Sequence, residues 1–199
     1  MTSSSAEEPG TGSASVRPDH FQERLRRVEE GSALVRSFQP GMVIGPLQTE
    51  TYARTVMGQS GAATAADAVR VRLARGRMML DDPGRQWVLV HTEGALRWRM
   101  ASAEAMVEQI AHIIACSRQP NIRIGVIPYE TAVDFAAPHG FHLYDQQAVM
   151  IGAKTATALS SDERDVRVYH DLFGRLEGAA AWDDDARAVL VRISDDCAR

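Results

Sequence analysis

Apolar residues recur along the chain at three- and four-residue intervals in some stretches and alternate with polar ones in others, so helices interleaved with strands are expected. Phe21, Leu25, Val28 and Leu34 lie close to helical spacing behind an Asp19–Gln22 capping pair, and Gln39-Pro40-Gly41 supplies the stop. Thr49 is the expected N-cap of a short helix through Met57, with Glu50 in the first turn where the helix dipole favours an anion. Gly58 to Thr64 reads as a loop of small residues. Ala65 to Leu80 reads as a third helix, ended by Asp81-Asp82-Pro83-Gly84.

Trp87 to His91 is short, apolar and rich in β-formers, as a central strand requires. Ser102 then caps a helix carrying a stripe of Met106, Ile110, Ile113 and Ile114, and Ile122, Ile124 and Val126 alternate as a second strand. Strand, helix and strand in succession predict a right-handed crossover and a parallel pair. His139 to Asp145 and Ala148 to Ala153 read as a hairpin around Asp145-Gln146-Gln147, and Thr155 to Leu159 as a further strand. Ser160 and Glu163 form a capping box for a helix with Val166, Tyr169, Leu172, Phe173 and Leu176 on one face. Ala186, Val189, Leu190 and Ile193 mark a last helix. The expected architecture is α+β, a mixed sheet of about four or five strands flanked by helices. Apolar faces such as the last one serve either the core or a homodimer interface.

Composition bounds this picture. Residues 1–17 are dominated by small and polar residues and cannot offset the entropy of ordering, so they read as a disordered tail, and 18–199 as one domain. An apolar fraction of 45% with 24% charged residues is that of an ordinary globular protein. A net charge of −4 gives no overall attraction for phosphate backbones, which argues against direct binding of nucleic acid. Neither a signal-peptide pattern nor a membrane-spanning apolar run is present, so the expected location is the cytoplasm, away from membranes. Cys116 and Cys197 lie on apolar helix faces at no metal or redox spacing and read as buried free thiols.

Chemistry is harder to place. The chain has no nucleophile elbow, Walker loop, dinucleotide-binding glycine pattern, zinc-protease motif or paired cysteines, so no motif asks for a cofactor or a metal. This leaves binding, or proton-transfer chemistry needing one or two side chains in a shaped pocket. His91-Thr92-Glu93 sits at the C-terminal end of a predicted strand, where ligands gather in open α/β sheets. Arg97, four residues on, either pairs with Glu93 across a helical turn or joins His91 and Glu93 at a ligand. Gln48 and Tyr52 carry polar ends that either meet a ligand or serve packing beside the Thr49 cap. His139 and His142 are three apart in a strand and face opposite sides, so they do not converge on a metal, but His139 and Tyr144 remain candidates for ligand contact. Arg70, Arg72, Arg75 and Arg77 do not share one helical face, and are expected to be solvated or ion-paired.

Ile44 to Arg54 reads Ile-Gly-Pro-Leu-Gln-Thr-Glu-Thr-Tyr-Ala-Arg. This run resembles the signature that opens the effector domain of actinobacterial Xre-type helix-turn-helix regulators, a domain of unknown function also described as antitoxin-like. The arginine-rich Arg70 to Leu80, the run Val90 to Arg97, the strand Asn121 to Pro128, and the segments Gly140 to Asp145 and Asp165 to Leu176 follow in that family's order. The likeness runs from about Phe21 to the C-terminus. Two departures stand out: Pro46 lies two places beyond the family's proline, and Gly152 stands where the family commonly carries a glutamate after the strand Ala148 to Ile151.

The family normally places a helix-turn-helix before the signature, so the chain is expected to be a stand-alone effector domain. The resemblance implies binding of a small organic ligand or a small protein partner, and no direct contact with DNA. The alternative is a cofactor-independent cyclase, isomerase or lyase of a specialised-metabolite pathway that reuses the pocket, with His91, Glu93 and His142 as its acid and base groups.

Overall fold

The computed structural model describes residues 18–59, 65–152 and 157–199. The expected tail over 1–17, most of the loop before the third helix, the Asp19–Gln22 side-chain pair and Thr155 lie outside the described residues. Among those described, the order is α1 (Pro18–Gly31), β1 (Leu34–Gln39), a 3-10 turn (Gly45–Leu47), α2 (Glu50–Gln59), α3 (Ala65–Asp81), β2 (Gln86–Thr92), α4 (Glu93–Arg97), α5 (Ala103–Cys116), β3 (Ile122–Ile127), β4 (Phe141–Tyr144), β5 (Ala148–Gly152), β6 (Thr157–Ser160), α6 (Glu163–Ala179) and α7 (Asp183–Ala198).

The architecture is α+β as expected, but the sheet has six strands, in the order β3-β2-β1-β4-β5-β6. β1, β2 and β3 are parallel, and β4, β5 and β6 add antiparallel on the other side of β1. The additional strand is β1, in a region the sequence reading had assigned to the first helix. The helix ends at Gly31, and beyond it Leu34, Val35 and Phe38 are bulky and suit a pleated surface. Leu34 fits a helical stripe by position, but the alternation of Val35 and Ser37 on one face with Phe38 on the other is that of a strand.

Alternation sorts the sheet's two faces. Val35, Trp87, Leu89, Ile122, Ile124, Tyr144 and Met150 point into the larger core, closed by residues of α2, α3, α5 and α7. Phe38, Val90, Phe141, Leu143 and Val149 point the other way, onto Val166, Phe173 and Leu176 of α6. Ser37 and His142 are therefore polar residues on the larger core's side of central strands. They stand opposite each other in the β1–β4 register.

Local chemistry fixes the ends. Thr49 Oγ1 accepts from the Tyr52 amide at 3.3 Å, and Ser102 caps α5 through the Ala105 amide. At α6 the cap is Asp162, which accepts from the Arg164 amide at 2.8 Å; Ser160, the expected cap, instead donates to Asp165. The β4–β5 turn is held by Asp145 at φ 48°, a conformation an aspartate tolerates, and its carboxylate accepts from the Leu34 amide at 2.8 Å. That bond joins the hairpin to the start of β1. Both cysteines are free and buried, and no described helix is long and apolar enough to cross a membrane.

Candidate functional site

The residues favoured by the sequence at the strand ends are already engaged by the protein. Burial is complete at His91, whose Nε2 accepts the Ile44 amide at 3.0 Å, and desolvation pushes its pKa down to about 3. It is a neutral strut. Glu93 is buried at the start of α4, where Arg97 Nε binds one carboxylate oxygen at 2.6 Å and the Tyr129 amide donates to the other at 3.0 Å. Arg97 continues to Asp196 of α7 at 2.7 Å, so this trio ties α4 to the C-terminal helix. Tyr52 lies wholly in the core with its hydroxyl between the Val43 amide and Met100 Sδ. Among the described residues no group of three His, Cys, Asp or Glu is placed to hold a metal.

The expected strand start at His139 is not observed: β4 begins at Phe141, so His139 lies in the preceding loop, and the two histidines still point to opposite sides of the sheet. His139 meets the Tyr169 hydroxyl at 2.8 Å on the α6 side, whereas His142 Nδ1 lies 2.6 Å from Ser37 Oγ on the opposite face. Tyr144, two residues on, shares the face of His142. Gly152 ends β5 in the open, with nothing near its Cα that a side chain would meet.

His142 and Tyr144 line a small cavity between the sheet, α1 and α3, with room for about one water molecule. Its floor is Val35 of β1 and Trp87 of β2, and its walls are Glu29 of α1, Arg75 and Met78 of α3, Pro46 of the 3-10 turn, and Arg85. Packing sets these walls. A Cβ on Gly76 would sit 2.7 Å from the Pro46 carbonyl oxygen, so only glycine lets α3 approach the 3-10 turn this closely and bring Arg75 over the sheet. Asn121 at the start of β3 donates to the carbonyls of Met79, Asp82 and Arg85, fixing the turn from α3 into β2.

The cavity's lining is mostly apolar, with Glu29, Arg75, Arg85, His142 and Tyr144 as its polar side chains. Glu29 Oε1 receives both Arg75 at 2.7 Å and the Tyr144 hydroxyl at 2.9 Å. Burial raises the Tyr144 phenol above its ordinary range, and the charge of Glu29 adds to this, so it stays a donor. Arg72, one turn before Arg75, donates to Gln48 Oε1 at 2.7 Å while Gln48 Nε2 donates to the Val43 carbonyl at 2.8 Å. Among the described residues Arg72 pairs with no carboxylate; burial lowers its pKa, and so does the charge of Arg75. His142 is held down to about 4 by desolvation and then by the charges of Arg75 and Arg72, so it is neutral at ordinary pH.

Among the described residues Trp87 Nε1, a buried donor on a cavity-lining residue, has no hydrogen-bond partner, whereas Arg85 Nε lies 3.8 Å from the Asp82 carboxylate. Trp87 is 4% exposed. A buried N–H without an acceptor is costly and uncommon in a folded protein, and beside a cavity its acceptor is a water or a ligand atom lodged there.

Of the residues singled out from sequence, the fold brings together His142 and Tyr144, with Gln48 behind them through Arg72. Glu29, Arg75, Arg85 and Trp87 were missed. Arg72 and Arg75 do share a helix face, three residues apart, although the four arginines together do not. A second signal was the polar Ser37 and His142 in otherwise apolar inward strand positions.

No curated protein is significantly similar to the chain. Residues 22–192 match a domain of unknown function, DUF5753, over most of the sequence, and the chain belongs to that family.

Proposed function

We propose that this domain is an effector module that binds a small organic ligand in the cavity between α1, α3 and the sheet, as the effector half of an actinobacterial Xre-type regulator would, in the cytoplasm and without touching DNA itself. The observation that carries the reading is the unpartnered buried donor Trp87 Nε1, on a residue bordering a cavity that is also lined by Arg75, Tyr144 and His142. An acceptor lodged in the cavity would complete the Trp87 indole N–H, and a polar ligand atom is such an acceptor. Native mass spectrometry of protein purified from its own host, followed by denaturation and identification of released compounds, tests the reading. A retained small molecule that protects Trp87 supports it. A protein that is always empty, and that no compound stabilises, moves the function to a small protein partner.

A cofactor-independent enzyme in the same pocket is the second reading, favoured by the 2.6 Å contact between Ser37 Oγ and His142 Nδ1, the distance of a nucleophile and its base. Ser37 is only 1% exposed, and a histidine with a pKa near 4 is a weak base at neutral pH, so binding fits the geometry better. Conversion of the retained compound on prolonged incubation, lost in His142→Phe, would reverse that preference.

A further inference from the structure

Strands β1, β2 and β3 are covered fully on one face and only in part on the other. Parallel strands are ordinarily buried on both faces, because their crossovers lay helices on each side. Here α2, α3, α5 and α7 close the larger core, and among the described helices α6 alone packs on the opposite face. α6 crosses the strands obliquely. Val166 near its start shares the smaller core with Val149 of β5, and just beyond its end Ala181 pairs with Val126 of β3. On this face Phe38 and Val90 are buried, but two residues earlier along the same strands Arg36 and Val88 are only half-buried, and Arg123 beside them on β3 is exposed.

This uncovered row is cationic. Arg36 stands on β1, between β2 and β4, yet among the described residues its guanidinium has no carboxylate, hydrogen-bond or ring partner. Arg123 has only the Trp182 ring, whose centre lies 4.0 Å from the guanidinium carbon. Across the sheet the row reads Arg123, Val88, Arg36, Leu143 and Val149, so it contains no acid. Water can serve a half-buried guanidinium, and an arriving carboxylate converts that contact into a charge-assisted pair.

Space for a partner lies beside α6. His170 Nε2 is 2.8 Å from the carbonyl of Asp145, whose carboxylate holds the Leu34 amide, so this side of α6 looks toward the start of β1. Gly174 and Gly178 follow at four-residue steps, and a Cβ on either would meet nothing within 4 Å. Arg36 and Arg123 stand two strands apart, about 10 Å at the ~4.8 Å spacing of strands, with Val88 between them. Residues seven apart on a helix share one side and lie about 10.5 Å apart along its axis. Two acids at that spacing with an apolar residue midway therefore match Arg36, Val88 and Arg123 in charge and position.

We propose that the uncovered face of β1, β2 and β3 docks an acidic amphipathic helix of a partner protein, which lies alongside α6 and places acids seven residues apart on Arg36 and Arg123. The docked helix completes the second layer that parallel strands require. The cavity lined by Val35, Trp87 and Tyr144 is on the other face of the sheet, so this inference stands apart from the ligand-binding reading.

NMR titration of the 15N-labelled full chain tests it, with an alanine-rich helical peptide carrying two glutamates seven residues apart and leucine midway, and with the same peptide carrying lysines in their place. The acidic peptide should shift the backbone N–H resonances of Arg36, Val88 and Arg123 and the Trp182 indole N–H, and leave the Trp87 indole in place. The lysine peptide should shift none of them. Arg36→Gln should weaken binding of the acidic peptide about ten-fold. Should that variant fail to fold, Arg123→Gln at an exposed position decides, with the same loss expected. Equal shifts from both peptides, no shift from the acidic one, or binding that is unchanged in a folded variant would each overturn the inference. A dimer of the free protein that Arg36→Glu dissolves would overturn it in favour of a second copy on this face.

Discussion

Nε2 of His91 accepts the backbone N–H of Ile44 at 3.0 Å, tying the segment that leaves β1 to the C-terminal end of the neighbouring strand β2. The acceptor role requires the neutral ring with its proton on Nδ1, and that nitrogen is buried without a partner. The bond therefore exists only while His91 is unprotonated.

A pH dependence of stability follows. Burial holds His91 at about 3 and His142 at about 4, with Arg75 and Arg72 adding to the latter, and burial also lowers His112. In the unfolded chain all three return to about 6.5. Below that pH the unfolded state binds protons that the folded state refuses, so stability falls as the pH drops from about 6.5 toward 4, by up to ~1.4 kcal/mol per pH unit for each of His91 and His142, with His112 adding in the same direction. Urea midpoints measured down this range should decline steadily, and less steeply in His91→Gln, which keeps an acceptor for Ile44. A flat wild-type profile would contradict the assignment.

Gly76→Ala should destabilise the protein although it raises helix propensity. Its Cβ would meet the Pro46 carbonyl oxygen at 2.7 Å, and a backbone oxygen in a 3-10 turn cannot swing aside. The strain, about 1–3 kcal/mol, outweighs a propensity gain of about 1 kcal/mol. Gly174→Ala in α6 meets nothing within 4 Å and should stabilise by up to about 1 kcal/mol. Equilibrium denaturation of the two variants should give midpoints moving in opposite directions.

Arg97→Met leaves the buried Glu93 carboxylate with only the Tyr129 amide and cuts the link to Asp196. The guanidinium is 28% exposed, so the loss is smaller than for a fully buried pair, about 2–3 kcal/mol. Adding Glu93→Gln removes the stranded charge and should recover part of it, measured as a coupling energy in a double-mutant cycle. Strict additivity would mean that the 2.6 Å contact contributes nothing.

How far the sequence could be read follows from the range of each signal. Periodicity located α2, α3, α5, α6 and α7 and strands β2 to β5, because alternation or a 3.6 repeat is written into neighbouring residues. It failed at β1, where Leu34 continues the stripe of Leu25 and Val28 by coincidence of spacing. The Asp162 cap was missed because Ser160, two residues earlier, satisfied the same pattern with Glu163. At the site, His142 and Tyr144 could be named, since each is polar or amphipathic in a predicted strand. Glu29, Arg75, Arg85 and Trp87 could not be grouped, because their convergence depends on β1 pairing with both β2 and β4 and on Gly76 admitting α3 to the 3-10 turn. Those are long-range facts.

Trp87 separates a binding role from a packing role. Its indole N–H has no partner, so Trp87→Phe removes no hydrogen bond and relieves an unpaired buried donor. The smaller ring leaves a void, which alone costs about 1 kcal/mol, and the relief offsets part of that. Stability should therefore change little, while retention of the cavity's ligand, read by native mass spectrometry, falls sharply. Asn121→Ala provides the contrast, since it removes the donor to the buried Met79 and Arg85 carbonyls and should cost about 2–3 kcal/mol. If Trp87→Phe proved as destabilising as Asn121→Ala and left ligand retention intact, the indole N–H would have a structural partner, and the cavity would lose its strongest claim to be a binding site.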